Sequence, residues 1–177
     1  MGLLDGKKIV ITGVLTDASL AYGVAQIALQ EGADIVLTGA GRALSLTQRT
    51  ARKLADGLNV FEFDVTVPDH VASVREAVAS KWGRVDGVLH AIGFAPASCL
   101  GDDFFAAPWD DVATAMHIST YSLKTLADAF VPLMDNGGSF VGLDFDNQQA
   151  WPAYSWMGVA KSALQSVSRY LARELGA

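Results

Sequence analysis

Short apolar runs alternate with longer amphipathic stretches along this chain. The runs are Lys8–Thr12 (KIVIT), Asp34–Thr38 (DIVLT), Asn59–Phe63 (NVFEF), Asp86–Ala91 (DGVLHA) and Ser139–Leu143 (SFVGL). Most are β-branched or apolar throughout, as expected of strands covered on both faces. Between the first two, Leu20, Val24, Ile27 and Ala28 recur at helical spacing and form one stripe, with Gly32 as a stop. A second helix is predicted over Pro68–Trp82, with Val71, Val74 and Val78 on one face and Gly83 after it. The longest covers Pro152–Leu175 and aligns Ala160, Leu164, Val167, Leu171 and Leu175. No repeat, linker or low-complexity tract interrupts the pattern, so residues 1–177 are predicted to form a single domain.

This β-α-β-α order predicts a parallel sheet with helices on both faces. Right-handed crossovers make it an α/β, doubly wound, Rossmann-type fold, in which ligands bind beyond the carboxyl ends of the strands. Composition narrows the function. Half of the residues are hydrophobic, which excludes a disordered chain, and the net charge of −6 gives no general attraction to nucleic acid or anionic membrane. The only cysteine, Cys99, excludes an internal disulfide and fits a reducing compartment. The start, MGLLDGKKIVITG, lacks a signal-peptide pattern, and no apolar run approaches the roughly 18 residues of a bilayer span, so a soluble cytoplasmic protein is expected. His70, His90 and His117 are scattered without metal-ligand spacing, and His90 sits in an apolar strand as a core histidine would. Ser155 and Ser162 lack a nucleophile-elbow context.

The segments after the strands carry the candidate chemistry. After the first comes Thr12–Ala21 (TGVLTDASLA), which has Gly13 and a helix-capping Ser19 in place of a G-x-G-x-x-G turn. A helix start offers free N–H groups and a positive dipole end to a pyrophosphate, and Ser19 could add its hydroxyl. An ordinary capped turn reads the same way. The second strand ends without a carboxylate, and Arg42 follows, suited to a 2′-phosphate, to adenine stacking or to solvent. Asp64 and Val65 end the third, where Asp64 could accept from an adenine amino group or cap the next segment. Finally, Tyr154 and Lys161 are seven residues apart. On a regular helix this brings them to within about 20° of each other, separated by about 10.5 Å of rise.

Taken in order, Gly13–Ala21, Asp64-Val65, His90–Phe94 (HAIGF), His117–Ser119 (HIS), Gly142–Asp146 (GLDFD) and Pro152–Leu164 (PAYSWMGVAKSAL) resemble the NADH-dependent enoyl-acyl-carrier-protein reductases. These are a divergent branch of the short-chain dehydrogenases, and the similarity is to the actinobacterial, mycolic-type form. Ordinary short-chain dehydrogenases use Tyr-x3-Lys, whereas this branch uses Tyr-x6-Lys, as here. Three extra helical residues move the phenol about 4.5 Å along the axis, which suits a thioester carbonyl two carbons from the carbon that accepts hydride.

The resemblance implies reduction of trans-2-enoyl thioesters of acyl carrier protein, or of coenzyme A, by NADH in type II fatty-acid synthesis. Tyr154 would steady the enolate and Lys161 would hold the nicotinamide ribose. Phe145 would lie beside the nicotinamide and the double bond, though core packing alone would also explain it. Cofactor residues implied by position are Gly13, Leu15, Ser19 and Leu20 at the phosphates, then Ala40, Asp64 and Val65 at the adenosine. Ala91, Ile92, Gly93, Ile118, Leu143, Asp144 and Lys161 would line the nicotinamide half. Phe94, Leu100, Ala153, Tyr154 and Met157 would meet the acyl chain. An acyl carrier protein and sister subunits of a homotetramer are the implied partners, with the exposed side of Tyr154–Leu175 as the candidate interface. Ala40 and Gly41 stand where larger or acidic residues are usual, which leaves NADH over NADPH open, and Cys99–Asp103 is short. The family extends past the long helix, so a C-terminally incomplete fold with an open edge at Ser139–Leu143 is expected, with weak cofactor binding and poor turnover. The alternatives are a dehydrogenase acting on a ketone or alcohol and a catalytically silent nucleotide-binding protein.

Overall fold

The apolar runs become five short strands: β1 (Lys8–Ile11), β2 (Asp34–Gly39), β3 (Val60–Glu62), β4 (Gly87–His90) and β5 (Ser139–Gly142). In the computed structural model they form one parallel sheet in the order β3-β2-β1-β4-β5. The residues divide into two compact units, Met1–Ala91 with Leu126–Val141, and Ile92–Thr125 with Gly142–Ala177. The described residues are 2–101 and 103–176; Asp102, within the short stretch noted above, lies outside them, as do Met1 and Ala177. No helix among the described residues is long and apolar enough to cross a membrane.

The first unit is organised around β1. Its Val10 and Ile11 are fully buried, in register with Val36 and Leu37 of β2 on one side and Val88 and Leu89 of β4 on the other. The helices here are α1 (Leu20–Gln30), α2 (Arg42–Leu54) and α3 (Pro68–Trp82). Right-handed crossovers put α1 and α2 on one face of the sheet and α3 on the other. The chain runs outward from β1 to β3 and then returns to β4, so strand order reverses at the β1–β4 boundary, where such sheets bind ligands.

Helix α3 follows its prediction: Val74 and Val78 are buried, Val71 is partly buried, and Gly83 ends the helix at φ 69°. Helix α1 does not. Leu20, Val24 and Ile27 are exposed by 77, 40 and 58 %, and the buried face is Ala21, Ala25 and Ala28. Two apolar stripes compete on this helix, and the smaller side chains win the contact because they let its backbone approach the sheet closely. β5 is the last strand in the sheet order and is largely exposed, with Val141 half in solvent, unlike a strand covered on both faces.

The second unit contains a 3₁₀ turn at Ala97–Cys99, α4 (Trp109–Met116), a π-helical turn at His117–Tyr121 and α6 (Ser155–Leu175); α5 (Ser122–Phe130) follows the π turn. Cys99, Val112 and Ala115 form a buried cluster with Trp156 packed against it. Along α6 the predicted face holds at Ala160 and Leu164, weakens at Val167 and Leu171, and ends with Leu175 48 % exposed. The helix begins three residues later than predicted. Ala153 (φ 68°) and Ser155 (φ 41°) take left-handed backbone conformations, and the Ala153 carbonyl accepts a hydrogen bond from Gly101 N–H at 3.0 Å.

Asp86 ties the entry points of β1 and β4 together. Its Oδ2 accepts from Lys8 N–H at 2.9 Å and lies 3.4 Å from Arg84 Nε, and Lys7 Nζ approaches Oδ1 at 3.4 Å. Burial pushes its pKa upward, but the Lys8 N–H and the charges of Arg84 and Lys7 outweigh this and hold it below the ordinary carboxylate value. A lowered folded pKa means stability that is present at neutral pH and lost as pH falls through the acid range. Asp86→Ala is expected to lower unfolding stability by about 1–3 kcal/mol in urea titrations near pH 7, with the gap to the parent protein closing in acid.

Candidate active site

In the first unit the ends of β1 and β4 are joined by one hydroxyl. Thr12 Oγ1 donates to Leu89 O and accepts from Ala91 N–H, both at 2.9 Å. Gly13 follows at φ 79°, and a Cβ there would lie 2.1 Å from the Ala91 carbonyl oxygen, so no other residue fits. Leu15 and Leu20 are exposed, Val14 is buried, and Ser19 occupies the N-cap position of α1. Its hydroxyl does not cap the helix as expected. Oγ instead accepts from Leu15 N–H (3.2 Å) and Thr16 N–H (3.0 Å), turning back onto the loop and keeping its own proton to donate. Helix α1 thus begins with no side-chain cap and no acid in its first turn, so neither offsets its positive dipole end. Ala40 follows the end of β2 and is half-buried, Val65 is buried, and Asp64 Oδ1 accepts from the N–H and hydroxyl of Thr66. That is the capping role weighed above.

In the second unit Lys161 is 93 % removed from solvent, at 7 % exposure. Its Nζ donates to Ile92 O at 3.2 Å and Leu143 O at 3.0 Å. Burial holds its pKa below the ordinary lysine value, an effect that nearby Asp144 opposes. Two residues after Leu143, the Phe145 ring stacks on Tyr154 with centroids 4.4 Å apart and planes at 24°. The three-residue segment 143–145 therefore touches both members of the Tyr–Lys pair. Tyr154 is the N-cap of α6, not part of it, so the face-sharing expected of seven helical residues does not describe the pair. Gly93 faces Lys161 and Met157: a Cβ there would lie 3.7 Å from the Lys161 Cε and Nζ and 3.8 Å from the Met157 Cε. Phe94 is held through its backbone, its N–H donating to Ser119 Oγ (2.9 Å) and its carbonyl accepting from the same hydroxyl (2.7 Å). Ile118 lies in the π turn beside it.

An open cavity of about 620 Å³ adjoins Tyr154. Of the residues expected to meet an acyl chain, Ala153 and Tyr154 line it and Phe94, Leu100 and Met157 do not; Phe145, expected beside the nicotinamide, lines it too. Among its other wall residues, the sequence reading gave no such role to Phe104, Trp151, Gly158, Val159, Ser162 or the polar run Asp146–Gln149. Phe104 stacks on Trp156 at 4.6 Å and accepts from its indole N–H at 3.0 Å through the backbone carbonyl. Ser155 Oγ is buried without a hydrogen-bond partner. Among the described residues no group of His, Cys, Asp and Glu could hold a metal ion.

A family model described as "Enoyl-(Acyl carrier protein) reductase" matches residues 13–177. The chain belongs to the enoyl-acyl-carrier-protein reductase family. It is 46 % identical over 179 residues to the enoyl-[acyl-carrier-protein] reductase [NADH] of Mycolicibacterium smegmatis, covering 99 % of this chain and 66 % of that protein. The Mycobacterium avium reductase of the same name is 45 % identical with the same coverage. That of Synechocystis is 37 % identical over 98 % of this chain and 69 % of its own length. The chain thus spans about two thirds of these reductases, and the match runs through both units.

The buried lysine has a measurable signature. With its folded pKa lowered, the unfolded chain binds the Lys161 proton more tightly than the folded one, so folding gains as pH rises toward the ordinary lysine value. The unfolding free energy of the parent protein minus that of Lys161→Met is expected to increase over this alkaline window in urea titrations. A flat difference would place the ammonium in water.

Proposed function

We propose that this chain carries out the NADH-dependent reduction of trans-2-enoyl thioesters of acyl carrier protein, or of coenzyme A, in fatty-acid synthesis. The names of its relatives support the substrate and the nucleotide. The observation that carries the reading is the segment 143–145, whose Leu143 carbonyl holds the Lys161 ammonium and whose Phe145 ring orients Tyr154 at the edge of an acyl-sized cavity.

Each unit, taken by itself, carries groups suited to part of a dinucleotide. The uncapped start of α1 and the free Ser19 proton suit a pyrophosphate, with Gly13, Leu15 and Leu20 around it and Ala40, Asp64 and Val65 toward the adenosine. Two of the three Lys161 N–H donors are used by carbonyls, which leaves one for a ribose hydroxyl. Ala91, Ile92, Gly93, Ile118, Leu143 and Asp144 would complete the nicotinamide side. When bound, NADH supplies the hydride that C3 of the enoyl group receives. Charge then develops on the thioester oxygen, and the Tyr154 hydroxyl would donate to it while the Lys161 charge favours the same anion. A proton taken up from water at C2 would complete the reduction. The same reading makes the protein a cytoplasmic homotetramer, and the exposed Val159, Tyr170 and Leu175 of α6 supply apolar surface for an interface.

Crotonyl and acetoacetyl thioesters offered side by side with NADH test the proposal. Crotonyl turnover is expected to dominate, and Tyr154→Phe to lower kcat by about a hundredfold with a smaller effect on KM. Faster acetoacetyl turnover would favour the ketone reductase. Nucleotide binding without turnover of either would favour a silent binding protein.

A further inference from the structure

Gly158 is the fourth residue of the 21-residue α6, a position where glycine destabilises a helix relative to alanine. Nothing among the described residues requires it. Its backbone is not among those in the left-handed region, and a Cβ built on it would meet only Tyr154 Cβ, at 3.8 Å, an ordinary contact. What Gly158 does border is the cavity beside Tyr154. One turn further on, Ser162 also lines the cavity, but its hydroxyl is turned back to the Gly158 carbonyl at 3.0 Å. At Gly158 and Ser162, on the turns that follow Tyr154, α6 is therefore kept low, while Val159 of the same helix and Phe104, Phe145 and Trp151 supply bulkier wall.

We propose that Gly158 sets the width of the acyl pocket next to the thioester, so that enoyl thioesters branched at C2 are accepted. The inference rests on the reading of Tyr154 as donor to the thioester oxygen. With the phenol at that oxygen, C2 is the chain carbon bonded to the carbonyl and so the first to meet the adjoining wall. The space left by the absent side chain takes a methyl group on C2.

The test compares kcat/KM for trans-2-octenoyl and 2-methyl-trans-2-octenoyl coenzyme A in the parent protein, Gly158→Ala and Gly158→Val. The branched-to-straight ratio is expected to fall at least about tenfold in Gly158→Val and by less in Gly158→Ala, the range set by one methylene in a pocket. Gly158→Ala should also melt higher than the parent, which guards against a folding artefact. A ratio unchanged in both variants overturns the proposal. Binding of octanoyl and 2-methyloctanoyl coenzyme A, followed by tryptophan fluorescence through Trp151 in the cavity wall, separates the two readings. If no enoyl thioester is reduced but Gly158→Val selectively loses the branched ligand, the reaction assignment fails and the width assignment stands. If both ligands weaken equally, or neither changes, the width assignment fails.

Discussion

A lysine ammonium removed almost entirely from water is costly unless fixed dipoles replace its hydration. In this chain two backbone carbonyls do so, those of Ile92 and Leu143. Each belongs to a segment that follows a strand, so the charge draws those two segments to one point at the base of α6. The order around Tyr154 follows from that point. Leu143 fixes where Phe145 emerges, and Phe145 covers one face of the phenol. A side chain of ordinary helical spacing thus becomes part of a site because its neighbour is buried and the connecting backbone is pinned.

The scaffold was largely legible. All five strands lie where apolar runs ended by turn residues put them; in β1, β2 and β4 burial on two faces leaves little choice of residue, whereas β5 is exposed and was found by its apolar run alone. Parallel order followed from the alternation with helices. The failures have a common cause in size and context. On α1 the sequence pattern favours the larger Leu20, Val24 and Ile27, yet the sheet takes the alanines. Periodicity reports that a face exists, not which of two faces a partner can approach more closely.

The site was legible in part. Gly13 announced itself, since only a residue without Cβ passes so near the Ala91 carbonyl. Tyr154 and Lys161 were visible as a pair, but the left-handed backbone at Ala153 and Ser155 was not, and it moves Tyr154 off the helix. No local pattern marks Phe104 or Trp151 as wall residues, because their position depends on contacts such as Phe104 on Trp156 that are distant in sequence. Ser119 and Ser19 illustrate the same limit. Each hydroxyl is engaged by backbone groups that no composition rule identifies.

The π turn at His117–Tyr121 separates two neighbouring side chains that a regular helix would set about 100° apart on a tighter coil. Ser119 grips the backbone of Phe94, and Thr120 donates to the Ala160 carbonyl one residue before Lys161. The widened loop of backbone therefore behaves as a spacer one residue long, inserted so that adjacent hydroxyls reach different targets. Removing one residue from this stretch would turn Ser119 and Thr120 away from these targets and change the screw of the chain downstream.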